Sequence, residues 1–171
     1  MKHELELKLQ EDYSFMKQNR VSDERNTYRR FGCECGNGWY KLIQKLCQEI
    51  TEKYAEYQLS VDIVVLQVKE KFGKLRFYYE YEDTHCKFQA LDFIGDASVR
   101  FAPEKTKEEA KQRLRKEIAM IVRKYERKSD SICEICGGEN ATLRNVSTRQ
   151  YYIKTVCDKC YEEYMRKQTN T

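Results

Sequence analysis

The stretch Ser60-Val61-Asp62-Ile63-Val64-Val65-Leu66-Gln67-Val68-Lys69-Glu70-Lys71-Phe72-Gly73-Lys74-Leu75-Arg76-Phe77-Tyr78-Tyr79-Glu80-Tyr81 holds two strand patterns on either side of one turn. Ser60 to Glu70 is rich in Val and Ile, with three β-branched residues in a row, as a buried strand requires. Phe72-Gly73-Lys74 supplies turn chemistry. Leu75 to Tyr81 then alternates, with Leu75, Phe77, Tyr79 and Tyr81 on one face and Arg76, Tyr78 and Glu80 on the other. The stretch predicts an antiparallel hairpin.

Both neighbours of the hairpin read as helical. On its N-terminal side, the glycine-dense loop Phe31 to Trp39 opens a helix with Leu42, Ile43, Leu46, Cys47 and Ile50 on one face, running to about Tyr57. On its C-terminal side, Thr106 and Glu109 form a capping box. Ala110, Leu114, Ile118, Ile121, Val122 and Tyr125 then make the apolar stripe of a long helix ending near Lys128. Residues 83–102 fit neither period and are expected to hold a further strand or a short helix. The first thirty residues predict a short helix with a mobile start. The fold class expected is α+β: a small antiparallel sheet packed by helices, with a C-terminal zinc-ribbon module. The expected division is an N-terminal segment 1–30, a core 31–128 and a module 129–171.

That module rests on Cys133, Cys136, Cys157 and Cys160, two C-x-x-C pairs with twenty residues between them. The spacing suits two knuckles around one tetrahedral zinc ion, and Gly137 and Gly138 fit the tight turn of the first. A disulfide pair or a redox C-x-x-C are the competing readings; the second needs only one pair and a β-α-β frame that is missing here. Four thiolates leave no open position, so the expected zinc is structural. Within the module, Gln150 to Val156 predicts a strand and Asp158 to Lys167 a closing helix.

The 171 residues include 35% charged and 12% aromatic side chains, with thirteen tyrosines and one proline, which excludes a disordered chain. The longest aliphatic run, Ile63 to Leu66, is far too short for a bilayer span, and no apolar signal region opens the chain. The four cysteines outside the zinc spacing are irregularly placed, which favours a reducing compartment. The net charge is +4, but Lys105 to Lys128 alone holds ten Lys or Arg against four Glu.

The strings Cys35-Gly36-Asn37-Gly38-Trp39-Tyr40 and Gln67-Val68-Lys69-Glu70-Lys71-Phe72-Gly73-Lys74-Leu75-Arg76-Phe77-Tyr78, followed by the paired C-x-x-C, resemble a family of small bacteriophage-encoded proteins with a zinc-ribbon tail. The resemblance covers roughly Gly32 to Tyr161. It implies a phage accessory product working in the bacterial host cytoplasm, where counter-defence and host takeover are common employments. It transfers no catalytic residue.

Two candidate ligand sites emerge. The loop Gly36, Asn37, Gly38 and Trp39 has the glycines and the helix start of an anion cradle; the competing reading is a turn that fits Trp39 into the core. Lys69, Lys71, Lys74 and Arg76 gather four cations around one hairpin turn beside Phe72 and Tyr78, a combination that holds phosphates and bases; the competing reading is a solvated strand edge. If loop and hairpin adjoin, they make one anionic pocket. Lys111, Arg115, Arg123 and Arg127 form a basic helix face, either solvated or facing a nucleic-acid backbone. Cys33, Cys35, His85 and Cys86 offer soft ligands for a second metal, and Cys47 reads as a core residue. With only His3 and His85 in the chain, no catalytic constellation forms. The expected function is non-enzymatic binding of an anionic, nucleotide-type small molecule, a sponge for a signalling molecule. A zinc-ribbon regulator that binds nucleic acid or a host protein is the alternative, and a nucleotide-cleaving phosphodiesterase comes third.

Overall fold

A computed structural model describes residues 1–20, 25–85 and 105–169. In chain order the elements are α1 (His3–Asp12), α2 (Thr27–Phe31), β1 (Cys33–Glu34), α3 (Tyr40–Glu56), β2 (Ile63–Lys71), β3 (Lys74–Tyr81), α4 (Glu82–His85), α5 (Lys105–Lys128), β4 (Thr142–Asn145), β5 (Ile153–Val156) and α6 (Asp158–Thr169). The architecture is α+β, built on two small sheets.

The hairpin forms with the register Ile63↔Tyr81 to Lys71↔Lys74, broken by a bulge between Val65 and Gln67. The turn puts Phe72 at φ 54° and Gly73 at φ 76°, two successive left-handed residues, which match the right-handed twist of the flanking strands. The main sheet is mixed and not purely antiparallel, because β1 pairs in parallel with β2 through Cys33↔Val68 and Glu34↔Lys69. Two residues of Cys-x-Cys sequence carry too little pattern to announce a strand.

One face of this sheet packs on α3 and α5, where Trp39, Ile43, Leu46, Ile50, Val68, Leu75, Phe77, Leu114 and Ile118 are buried together. Leu9, Phe15, Met16 and Tyr28 belong to the same cluster, so segment 1–30 is part of the core body. Its start is held as well, against the expectation of mobility: the Met1 ammonium donates to the Cys33 carbonyl at 2.7 Å. The buried Glu6 carboxylate accepts from the Cys33 N–H at 2.8 Å. These are long-range bonds, so the weak apolar period of α1 gave no hint of them.

The β3 edge is covered by side chains from the following segments. The N–H groups of Leu75, Phe77 and Tyr81 donate to Ser129 Oγ, Glu126 Oε1 and Thr84 Oγ1. An edge strand satisfied this way cannot template pairing with another chain. The expectation for 83–102 meets the short α4 at its start and otherwise lies outside the described residues, as does the Thr106 side chain of the capping box.

The C-terminal module has its own small core of Cys133, Ala141, Val146, Val156 and Cys160. β4 and β5 pair antiparallel, from Thr142↔Val156 to Asn145↔Ile153. The strand expected from Gln150 starts only at Ile153, because Asn145 Oδ1 accepts from the Ser147 and Tyr152 N–H groups and closes a loop there instead.

Candidate functional site

The Sγ atoms of Cys133, Cys136, Cys157 and Cys160 lie within 4.8 Å of one another, a donor set that can hold a metal ion. The first knuckle is shaped by Gly137 N–H donating to the Cys133 carbonyl and by Cys133 N–H donating to the Gly138 carbonyl, both at 2.8 Å. Gly137 takes φ 78°, a conformation that a residue with a Cβ rarely adopts. Burial pushes the Cys133 thiol up, but hydrogen bonds from the backbone at Cys136, Cys157 and Ile135 outweigh it and bring it down to about 7. Among the described residues no other group of three or more His, Cys, Asp or Glu ligand atoms comes together in this way.

Cys33 and Cys35 do not share this environment. Burial raises the Cys33 thiol well above its ordinary value and pushes Cys35 up to about 12, and among the described residues the two do not gather a third ligand atom. The His85 side chain and Cys86, the other half of the expected second metal site, lie outside the described residues. Cys47 is fully buried on the core face of α3.

The Gly36 to Trp39 loop sits against the first knuckle. Gly36 N–H donates to Glu134 Oε1 at 2.9 Å and Gly38 N–H to the Glu134 carbonyl at 2.8 Å. The donors that an external anion would need are therefore occupied by Glu134, an internal one. Glu134 is only 2% exposed, and its other carboxylate oxygen accepts from Lys154 Nζ at 2.7 Å. A Cβ on Gly36 would overlap the Glu134 carbonyl oxygen, and one on Gly38 would overlap the Cys133 carbonyl oxygen and the Gly137 nitrogen. Trp39 is fully buried, with Nε1 donating to the Ile132 carbonyl at 2.9 Å. Both glycines are thus required by close backbone contact with the module.

The hairpin turn touches the same module from its other strand: Thr155 Oγ1 donates to the Gly73 carbonyl at 2.7 Å, and Glu134 N–H donates to the Thr155 carbonyl. Loop and hairpin are therefore bridged by Glu134 and Thr155, and this contact stands where a joint pocket was expected.

The hairpin cations share one face, since Lys69↔Arg76 and Lys71↔Lys74 are directly opposed and Gln67↔Tyr78 places the tyrosine beside them. They divide into two pairs. Lys74 meets Asp130 at 3.1 Å and Arg76 meets Glu126 at 3.4 Å. Lys69 and Lys71 form no ion pair among the described residues, although Glu34 is the cross-strand neighbour of Lys69; each stands over an aromatic ring, Lys69 Nζ 5.8 Å from Tyr78 and Lys71 Nζ 5.7 Å from Phe72. Phe72 is 70% exposed, although it occupies a left-handed backbone position that costs an L-residue roughly 1–2 kcal/mol. Sequence reading placed Phe72 in the turn and beside the cations, but not in a left-handed conformation. Its signal was the bulky aromatic standing where a tight hairpin turn favours Asn or Gly.

The expected basic face of α5 is largely neutralised at its centre. Arg115 and Lys111 both bond Asp62 and Asp83, and the Arg115 guanidinium lies 4.1 Å from the Tyr81 ring centroid. Burial alone would lower both cations, but the hydrogen bonds to the two aspartates outweigh it and raise them. This cluster ties α5 to the ends of the hairpin. Arg123 and Arg127 are exposed.

Comparison with protein-family models, with curated proteins and with solved structures finds no match. Among the described residues no helix is long and apolar enough to cross a membrane.

Proposed function

We propose that the protein is a non-catalytic binder of single-stranded nucleic acid, which lies across the hairpin face, and that a structural zinc ion holds the module buttressing that face. The observation that carries this reading is the pair of lysines that form no ion pair among the described residues and stand over exposed rings, with Phe72 displayed at a cost in backbone strain. Cations follow a phosphate chain while aromatic rings stack its bases, and an open sheet surface suits an extended strand. A sponge for a small nucleotide needs walls around its ligand, whereas the hairpin rings Phe72 and Tyr78 are exposed, which favours the polymer. The phage setting implied by the sequence resemblance is compatible with either ligand.

The metal reading rests on geometry. Zinc–sulfur bonds of about 2.3 Å put the corners of a tetrahedron roughly 3.8 Å apart. Cys136 and Cys157 Sγ atoms are separated by 3.7 Å. Four soft donors at this spacing fit zinc, and the closed donor set gives it a folding role.

Fluorescence anisotropy with a labelled oligouridine, an oligothymidine and a duplex tests the proposal. Single strands are expected to bind better than duplex. Lys69→Ala and Lys71→Ala each remove one cation from the phosphate chain, and each should flatten the salt slope by about 0.7. Phe72→Ala should weaken binding by about 1–3 kcal/mol, the scale of one stacked base. Binding of duplex alone, or equal binding by the Lys69→Ala/Lys71→Ala double variant, would refute the hairpin as the site.

A further inference from the structure

A second basic feature lies apart from the hairpin face: a cleft of about 460 Å³ where the start of α3, the end of α5 and the first cysteine knuckle meet. Lys41 and Lys45 line it from α3 and Lys128 from α5. Lys41 and Lys45 stand one helical turn apart, a like-charge pairing that disfavours the helix. None of the three forms a direct ion pair among the described residues, although Glu49 acts on Lys128 at longer range. Lys124, one turn before Lys128, shows what neutralisation looks like in this region, because it is bound by Glu49 at 2.7 Å. Lys128 Nζ instead rests 4.9 Å from the Tyr125 ring centroid. Glu139 is the one acidic side chain among the described lining residues, against three lysines.

We infer that this cleft binds a compact polyanion of mononucleotide size, carrying at least two phosphate charges. The volume lies within the range of about 300–1,000 Å³ typical of small-ligand sites. The lining is also divided as such a ligand requires. The lysines supply the phosphate end, and the half-buried Ile132 supplies a small apolar contact at the floor of the cleft. An anion here removes the repulsion between Lys41 and Lys45 and ties α3 to α5 beside the module. This site shares no lining residue with the hairpin face and does not depend on what that face binds.

Calorimetry on the full-length protein, purified with zinc, tests the inference with ATP, inorganic pyrophosphate and adenosine as probes. ATP is expected to bind and adenosine not. Pyrophosphate binding as well as ATP would assign recognition to the phosphates, and ATP alone would assign a share to the base. Lys45→Glu should weaken ATP by about tenfold or more, the scale of one charge-assisted hydrogen bond, and Lys128→Ala should act in the same direction. The Lys69→Ala/Lys71→Ala variant should leave ATP binding unchanged, which keeps this site separable from the hairpin. Absence of ATP and pyrophosphate binding at millimolar concentration overturns the inference. So does a loss of ATP binding that follows Lys69 and Lys71 while Lys45→Glu binds normally.

Discussion

The Gly36 to Trp39 loop and the Lys71 to Lys74 turn look alike as sequence, each with glycine beside an aromatic residue and polar neighbours, yet they do opposite things. Both are held by the cysteine module. The loop is closed, because its Gly36 and Gly38 N–H groups end on Glu134 and its Trp39 is fully buried. The turn is anchored at the Gly73 carbonyl and by the Lys74–Asp130 pair, and leaves Phe72 and Lys71 facing outward. A glycine motif therefore reports only that a backbone is approached or bent. Whether a ligand or the protein itself makes that approach depends on a partner 98 residues away in the chain.

The contrast can be broken most severely at the four cysteines, which we propose hold a zinc ion. Without it, the module retains only a five-residue core, and the energy of metal binding is folding energy in such small units. Cys133→Ser or strong chelation should unfold the module and release both loop and turn together. The expected readings are loss of one equivalent of zinc in metal analysis, a lowered melting temperature and loss of oligonucleotide binding. A metal-free protein of undiminished stability would show that the ribbon stands on its packing alone.

Glu134→Ala separates loop from turn more selectively. It removes the acceptor of Gly36 and leaves the partly buried Lys154 ammonium with only the Tyr152 ring beside it, a type of change that costs about 1–3 kcal/mol. Zinc content should survive, since Glu134 is not a ligand. Urea unfolding would measure the loss; a change below about 1 kcal/mol would mean that water replaces the carboxylate easily.

Gly38→Ala and Lys71→Ala compare the two regions directly. The added methyl meets the Cys133 carbonyl and the Gly137 backbone, which are not free to move, so destabilisation of about 1–3 kcal/mol is expected. Lys71 is exposed and meets only the Phe72 ring, so its removal should alter stability by under about 0.5 kcal/mol while weakening oligonucleotide binding. If both variants lost stability equally, the open and closed assignments would fail.

Much of this arrangement was legible locally. The alternation of Leu75, Phe77, Tyr79 and Tyr81, the stripe from Ala110 to Tyr125 and the cysteine spacing each depend on neighbours in sequence, so their periods announced β3, α5 and the metal cluster. What stayed hidden depends on contacts across the chain. The parallel strand Cys33–Glu34, the tethering of Met1, the Glu134 clasp and the pairing of Lys74 and Arg76 with Asp130 and Glu126 have no local period to betray them. The cation cluster was visible as four charges, but only tertiary structure divides it into two that are ion-paired and two that form no ion pair among the described residues.

The one expected gain in stability is the most discriminating for function. Phe72 sits at φ 54° ahead of Gly73 at φ 76°, the backbone for which Asn-Gly is the favoured pair, because Asn tolerates the left-handed region and Phe does not. Phe72→Asn should therefore stabilise the fold, by up to about 1 kcal/mol, since the ring it removes is mostly solvent-exposed and contributes little burial. The same substitution should weaken single-strand binding as much as Phe72→Ala does, because both remove the stacking surface. Stability and binding would then move in opposite directions at one residue, as expected where strain is maintained for a ligand. A Phe72→Asn protein that is less stable, or that binds oligonucleotides undiminished, would show that the phenylalanine serves the turn and not a partner.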